Sequence, residues 1–196
     1  MKDEGPPHAN PIEKHLARLL VPRDRIADRT VQLAQEIASF YEGRDVTLLA
    51  VLTGALIFVA DLMRLLPLAA RVEPVVVSSY PGRATRGQVP QFRLPPAHSL
   101  AGRHVLIVDD IYDSGRTMQF LTETAADAGA ETVRSCVLLR KDRPDIASRP
   151  AEPHFVGFDI PDEFVVGYGL DFDDLYRNLP DIGVLRQHAT GDGDDA

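Results

Sequence analysis

Two adjacent acids, Asp109 and Asp110, stand where an apolar run gives way to a short polar loop. Residues 105–108 are apolar, and residues 113–117 read Asp-Ser-Gly-Arg-Thr before a helical pattern begins. Carboxylates at the end of a buried strand are costly unless a ligand, a metal or water meets them. Hydroxyls, backbone N–H groups and a helix start suit an anion. The segment therefore predicts a site for an anionic ligand, and a sugar diol would supply the hydrogen-bond donors that the two acids lack.

An ordinary strand, turn and helix would explain part of this segment without any ligand. In that interpretation Asp113 or Ser114 is the helix cap. One acid and one serine would favour this alternative. The whole combination of an apolar strand, paired acids and Asp-Ser-Gly-x-Thr is much rarer, so it favours a functional site.

The elements that position these residues alternate along the chain. Helical spacing of apolar residues predicts helices over residues 25–41, 56–66 and 115–128. Apolar runs predict strands over residues 46–52, 74–80, 104–109, 132–139, 154–158 and 164–168. The alternation predicts an α/β fold with a mostly parallel sheet and helices on both faces. Such a sheet binds ligands at the carboxyl ends of its strands.

Composition sets limits on the chain as a whole. Its 196 residues suit one domain, which we place at residues 12–188, between a mobile arm (1–11) and an acidic mobile tail (189–196). The one cysteine, Cys136, lies in an apolar run and suits a reducing cytoplasm. The formal charge of −8 argues against nucleic-acid and membrane partners, and no apolar run is long enough to cross a bilayer. We expect a cytoplasmic protein with small-molecule substrates.

Other polar segments follow other predicted strands. Thr53 and Gly54 follow the first strand, and Gly54 allows a ligand or another backbone to approach closely. Residues 81–98 contain three arginines and no acid, which is typical of a solvated loop or of a cover over a charged ligand. Lys141 follows a later strand among other basic residues, so a surface cluster is the alternative to a binding role.

These segments together resemble the type I phosphoribosyltransferases, whose signature for phosphoribosyl pyrophosphate (PRPP) matches residues 105–117. The chain is similar to the hypoxanthine–guanine branch over roughly residues 12–186, because residues 156–171 resemble that branch's purine-binding signature. The resemblance implies that the terminal segments form a small hood beside the sheet. Two positions depart from the branch: Asp109 stands where Glu is usual, and Thr53 stands where many relatives carry Lys.

The resemblance implies roles for the residues around PRPP. Asp109 and Asp110 would hold the ribose hydroxyls and help bind Mg²⁺, and Asp171 would contact a second Mg²⁺. Asp113 would be the general base near N7 of the purine and would also border PRPP. The residues implied at the phosphates are Ser114, Gly115, Arg116 and Thr117 at the 5′-phosphate, with Thr53 (after a peptide that is often cis), Gly54 and Arg177 at pyrophosphate.

The resemblance also implies roles on the purine side and in a lid. Lys141 would contact the 6-oxo group, Phe164 would stack on the base, and the backbone of Val165 would bond its Watson–Crick edge. Ser79 and Tyr80 would begin a lid that closes over the site and excludes water.

The implied activity is purine salvage, by transfer of the 5-phosphoribosyl group from PRPP to a 6-oxopurine, hypoxanthine or guanine, with Mg²⁺ as cofactor. A homodimer or homotetramer is implied as well. Two alternatives remain open: a phosphoribosyltransferase for another base such as xanthine, and an RNA-binding regulator with the same fold. A regulator should present a basic face, and the acidic charge balance argues against one.

Overall fold

The computed structural model describes residues 11–78, 91–93, 95 and 99–186. Six strands form the main sheet: β2 Val46–Leu52, β3 Ala70–Ser78, β4 Gln91–Arg93, β5 His104–Tyr112, β6 Thr132–Lys141 and β7 Phe155–Ile160. Their order is β4-β3-β2-β5-β6-β7. Every neighbouring pair is parallel except β3 with the edge strand β4. The predicted mostly parallel sheet is confirmed.

Helices cover both faces of this sheet, as the sequence predicted. They are α1 Arg23–Tyr41, α2 Leu56–Leu65 and α3 Arg116–Asp127. α1 buries Ile26, Leu33 and Ile37 at helical spacing, and it ends where Glu42 and Gly43 take positive φ angles. α1 and α2 pack against one apolar cluster and α3 against another. The central strands are therefore buried on both faces, which explains their continuous apolar runs.

The implied hood is a separate antiparallel sheet built from both ends of the described chain. Its strands are β1 Leu16–Val21, β8 Val165–Val166 and β9 Ile182–Leu185, in the order β1-β9-β8. The sequence patterns did not predict β1 or β9. β1 buries only Leu16 and Val21, at its two ends, so it lacks the apolar run of a central strand. The predicted strand over residues 164–168 is shorter than expected, because the chain turns at Gly167, whose φ is 100°.

The end of β5 corrects one boundary that matters for function. The predicted strand ended at Asp109, but β5 continues to Tyr112, because Ile111 and Tyr112 still pair with β6. The acid pair therefore lies inside the strand and not beyond its end. Pro11, which we assigned to the mobile arm, begins a 3-10 turn, Pro11–His15.

Several predicted segments lie outside the described residues. These are residues 1–10 of the arm, Ser79 and Tyr80 with most of the segment 81–98, and residues 187–196, which include the acidic tail. β4 lies within that basic segment, where the sequence predicted no strand. Among the residues that the structure describes, no helix combines the length and the apolar character needed to cross a bilayer.

Candidate active site

The predicted site residues gather at one edge of the main sheet. β2, β5 and β6 run parallel and in adjacent positions, so their carboxyl ends lie at the same edge. This brings together the loop at Thr53 and Gly54, the acid pair with the loop after it, and Lys141.

In the acid pair, Asp109 is buried and Asp110 is half-buried. Asp109 is 6% exposed, and its Oδ1 accepts a hydrogen bond of 2.9 Å from the Asp110 amide. Burial and the neighbouring charge of Asp110 hold the pKa of Asp109 well above its usual range. Burial also raises the pKa of Asp110, while the charge of Arg177 opposes that shift. Within the described residues no Lys or Arg lies at ion-pair distance from either carboxylate, so the pair is suited to a ligand that brings cations or hydroxyl donors.

Gly54 connects the acid pair to the C-terminal segment of the site. An added Cβ at Gly54 would lie 2.6 Å from Cγ of Asp110, so only a hydrogen atom fits there. An added Cβ at Gly169 would in turn collide with the carbonyl oxygen of Gly54. The Leu52–Thr53 peptide is cis, as the resemblance implied. Three segments that are distant in the sequence therefore meet at Gly54, which contacts the Asp110 side chain on one side and the Gly169 backbone on another.

The start of α3 is left free of side-chain caps. The N-cap is Gly115, with a φ of 79°, and no side chain bonds to the first turn. The alternative in which Asp113 or Ser114 caps the helix is therefore wrong. Open N–H groups at a helix start, followed by Arg116 and Thr117, can receive a phosphate group.

The loop before α3 is held by residues that the sequence did not single out. Arg149 lies 4.6 Å over the ring of Tyr112 and donates to the backbone oxygens of Asp113 (3.2 Å) and Lys141 (2.6 Å). The Tyr112 hydroxyl donates to the Pro150 oxygen at 2.8 Å, and burial raises the pKa of Tyr112 to about 12. Arg149 thus fixes the backbone at both ends of the predicted base site. Its partners Lys141 and Asp113 lie 8 and 36 residues away in the sequence, so the local pattern around Arg149 did not identify it.

Charged side chains form a network on the purine side of the site. Lys141 Nζ lies 3.2 Å from Asp162 and 4.0 Å from Asp113. Arg143 pairs with Asp113, with Asp145 at 2.8 Å and with Asp162 at 3.3 Å. Hydrogen bonds to Asp145 and then Asp113 raise the pKa of Arg143. The structure therefore brings Lys141 and Asp113 together, as predicted, and adds Arg143 and Asp162, which the sequence interpretation missed.

The hood supplies the remaining predicted purine residues. Phe164 is 58% exposed, and its ring meets Phe172 edge-on at 5.7 Å between centroids. Val165 is buried in β8 and pairs with Val184 of β9. An exposed ring beside a fixed strand can stack on a flat base while backbone groups bond the base's edge.

Asp171 and Arg177 lie close together in the C-terminal segment. Arg177 Nη2 is 2.8 Å from Asp171, and its Nη1 donates to the Gly169 oxygen at 2.8 Å. The predicted metal ligand and the predicted pyrophosphate ligand are therefore ion-paired with each other. Within the described parts of the chain, His, Cys, Asp and Glu side chains form no group of three or more that could hold a metal ion. A cation bound at Asp109 and Asp110 would need oxygen ligands from elsewhere, such as substrate or water.

Comparisons with known proteins agree with this geometry. A model of the phosphoribosyl transferase domain matches residues 22–173. The hypoxanthine-guanine phosphoribosyltransferase of Mycobacterium avium is 39% identical over 186 residues, covering 90% of this chain and 91% of that protein. The Lactococcus lactis enzyme of the same name is 35% identical over 175 residues, covering 89% of this chain and 94% of that protein.

Solved structures give the same result. A hypoxanthine phosphoribosyl transferase of Trypanosoma cruzi has a TM-score of 0.81 and 35% identity, covering 93% of this chain and 96% of that one. A hypoxanthine-guanine phosphoribosyltransferase of Bacillus anthracis has a TM-score of 0.77 and 31% identity, covering 87% and 99%. Because a family model matches most of the chain and the relatives are similar over nearly their full lengths, this chain belongs to the phosphoribosyl transferase domain family.

Proposed function

We propose that this protein transfers the 5-phosphoribosyl group of PRPP to hypoxanthine or guanine, giving IMP or GMP and pyrophosphate. The observation that carries the proposal is the meeting of Asp110, Gly54 and Gly169 at one edge of the sheet. This edge also holds the uncapped start of α3 and, on its other side, Lys141 with Asp113. The names of the relatives in four bacterial and protozoan species support the same activity.

PRPP fits the acidic and glycine-rich half of the site. The Asp109 and Asp110 carboxylates would accept hydrogen bonds from the ribose hydroxyls, which removes the cost of burying them. The 5′-phosphate would bind the amides and hydroxyls at the start of α3, which are contributed by Ser114, Gly115, Arg116 and Thr117. Pyrophosphate would lie at the backbone of Thr53 and Gly54, with Arg177 beside it.

The purine would lie between the hood and the charged side chains around Lys141 and Arg143. The Lys141 ammonium, which only donates, would bond the 6-oxo group, and it is already oriented by Asp162 at 3.2 Å. Phe164 would stack on the ring, and the backbone of Val165 would bond its Watson–Crick edge. Asp113, held by Arg143, would face N7.

The donor set at the acid pair fits Mg²⁺. Carboxylate oxygens are hard ligands, and two buried acids with raised pKa values gain from a nearby cation. Asp109 and Asp110 would hold the ion at the ribose, and Asp171 would hold a second one if Arg177 turns to pyrophosphate. Bound Mg²⁺ neutralises the charge of pyrophosphate and so makes it a better leaving group.

The residues of the chain then position and balance the reaction. A ring nitrogen of the purine forms a bond to C1′ of the ribose, while the bond from C1′ to the pyrophosphate oxygen breaks. Its electron pair leaves with pyrophosphate, and C1′ is inverted. The N7 proton passes to the Asp113 carboxylate. Closure of the lid that we predict at Ser79 and Tyr80 would exclude water from C1′.

The direct test is product formation by the purified protein. With PRPP, hypoxanthine and Mg²⁺ we expect IMP and pyrophosphate in equal amounts, and no product in excess chelator until Mg²⁺ is restored. An absence of nucleotide with every 6-oxopurine would overturn the proposal. The assembly into a homodimer or homotetramer remains a prediction, which light scattering in solution would test.

A further inference from the structure

A second polar cavity lies at the edge of the main sheet opposite the candidate active site. It has a volume of about 490 Å³ and opens at the amino-terminal starts of β2, β3 and β5. Its polar lining consists of Arg44, Asp45, Thr47, Arg71, Arg103 and His104. Six residues of an extended strand separate Thr47 from Thr53, so the cavity is about 20 Å from the pyrophosphate loop. None of the proposed catalytic steps uses it.

The cavity is basic in an acidic protein. Three guanidinium groups and one carboxylate, that of Asp45, line it, whereas the whole chain has a formal charge of −8. The guanidinium groups of Arg71 and Arg103 make no hydrogen bond or ion pair with the described part of the chain. Arg44 donates Nε to the Tyr41 oxygen at 2.7 Å and Nη2 to the Phe40 oxygen at 2.9 Å, which leaves its Nη1 open. The cavity therefore has several cationic donors without acceptors.

Thr47 adds a hydroxyl group to the polar lining of the cavity. It is only 2% exposed and lines the cavity at the start of β2. Thr47 pairs in register with Arg71 on the neighbouring parallel strand, so both side chains lie on the same face of the sheet. The Thr47 hydroxyl and the Arg71 guanidinium can therefore both donate to one acceptor bound in the cavity.

We propose that this cavity binds a phosphoryl group, at a site separate from the PRPP and purine sites. Planar guanidinium groups match the oxygens of a phosphate in pairs, and the Thr47 hydroxyl adds a neutral donor. His104 is held by its Nδ1 contact with the Thr132 hydroxyl at 3.0 Å and shapes the wall. The shared chemistry is a phosphate dianion, either free or as the phosphomonoester of a small metabolite. This site goes beyond the proposed transfer activity and does not depend on it.

NMR titration of the full-length protein can locate this binding. Inorganic phosphate and glycerol 3-phosphate are added in separate experiments, with sodium chloride at matched ionic strength as the reference. We expect saturable shifts of the amide signals of Thr47, Gly102 and His104, and none with chloride. The signals of Gly115 and Thr117 report separately on the catalytic edge. Tighter binding of glycerol 3-phosphate than of phosphate would identify a phosphomonoester as the natural ligand, and the reverse would identify free phosphate.

Substitutions can distinguish specific phosphate binding in the cavity from non-specific attraction of phosphate to surface arginines. Arg71→Gln and Thr47→Val should each weaken phosphate binding about tenfold, the loss expected for one charge-assisted or buried hydrogen bond. Thr47→Ser, which keeps the hydroxyl, should bind as the wild type does. The matched control is Arg25→Gln, which removes one exposed guanidinium elsewhere and should change nothing. Shifts that do not saturate, or an equal loss in Arg25→Gln, would overturn the proposal whether or not the protein converts purines.

Discussion

Gly54 occupies a position where a hydrogen atom is the largest group that fits. Its Cα faces the Asp110 carboxylate, and its carbonyl oxygen lies against Gly169. Thr53 beside it carries no side-chain charge, so we expect the backbone to hold pyrophosphate. We therefore expect a substitution at Gly54 to impair activity strongly and a substitution at Thr53 to impair it little.

Gly54→Ala should lower kcat/KM for PRPP by at least about 10²-fold, because displacing reacting groups by about 1 Å has that effect. Thr53→Ala, the matched control, should change kcat/KM only slightly. Steady-state kinetics with varied PRPP measures both, and circular dichroism checks the fold. Equally mild effects would show that the loop is only a connection.

Asp113 and Asp145 both pair with Arg143, so a substitution of Asp145 is a matched control for a substitution of Asp113. Asp113→Asn should lower kcat by roughly 10²-fold, since it removes the proton acceptor near N7. Asp145→Asn removes another carboxylate from the same arginine, Arg143, but at an exposed position away from the base, and should leave kcat nearly unchanged. Single-turnover measurements distinguish the two. If Asp113→Asn retains wild-type kcat, Asp113 has only a structural role.

The buried acid pair should make the metal-free protein less stable as pH rises. Because the pKa of Asp109 is raised on folding, the folded chain holds its proton more tightly than the unfolded chain. The contribution of Asp109 to stability is therefore fully present below the unfolded pKa, near 3.9, and is lost as pH rises through the folded pKa.

Asp109→Asn removes this titration while keeping a similar shape. At neutral pH in chelator, we expect the variant to melt at a higher temperature than the wild type, because it has no buried carboxylate to ionise, and to be inactive. Calorimetry across pH 4–8 should show a flatter pH dependence for the variant. A lower melting temperature at neutral pH would mean that Asp109 is stabilised by contacts and not strained by burial.

At the scale of elements, one acid of the hood is hydrogen-bonded to the start of α1, in addition to the apolar contacts between the hood and the main core. Asp181, which is 6% exposed, precedes β9 and accepts hydrogen bonds from the amide (2.7 Å) and side chain of Arg23 at the start of α1. Glu13 binds the same guanidinium at 2.8 Å but from a more exposed position. The hood carries Phe164 and Val165, so its placement decides where the purine can stack.

Asp181→Ala should cost about 1–3 kcal/mol of unfolding free energy, because it removes the hydrogen bonds that the buried Asp181 carboxylate accepts from the amide and guanidinium of Arg23. It should also raise KM for the purine, since the hood is less firmly placed. Glu13→Ala should stay within about 0.5 kcal/mol of the wild type. Urea unfolding followed by kinetics gives both quantities. A stability loss without any change of KM would show that the hood holds its position by other contacts.

The sequence predicted correctly those elements whose own residues determine their structure, and it missed elements that depend on contacts with distant segments. β2 was predicted at both ends because both of its faces are buried, so its whole length is apolar. β1 and β9 were missed because they are short strands whose pairing depends on the opposite end of the chain. Among the candidate site residues, Asp113 and Lys141 stand at strand ends and were found from local patterns. Arg149 acts through partners that are distant in the sequence, so only the fold reveals it.

For the molecule as a whole, substrate binding should depend on where the charged side chains lie more than on the net charge of the chain. The chain carries a formal charge of −8, yet Lys141, Arg143 and Arg149 lie close together at the catalytic edge. These cations lie beside Asp113 and Asp162 at the same edge, so charges of both signs meet where the substrates would bind. In the proposed function this edge combines a PRPP half and a purine half, and we expect the purine half to set the base specificity.

Competition among purines tests the central claim most directly. The purified protein receives equal concentrations of hypoxanthine, guanine, xanthine and adenine with PRPP and Mg²⁺, and mass spectrometry identifies the nucleotides formed. Because the Lys141 ammonium can bond a 6-oxo group but not a 6-amino group, IMP and GMP should exceed AMP by roughly 10⁴-fold. Lys141→Ala should lose activity with hypoxanthine and guanine more than affinity for PRPP. AMP as the main product would contradict both the role of Lys141 and the proposed transfer to 6-oxopurines.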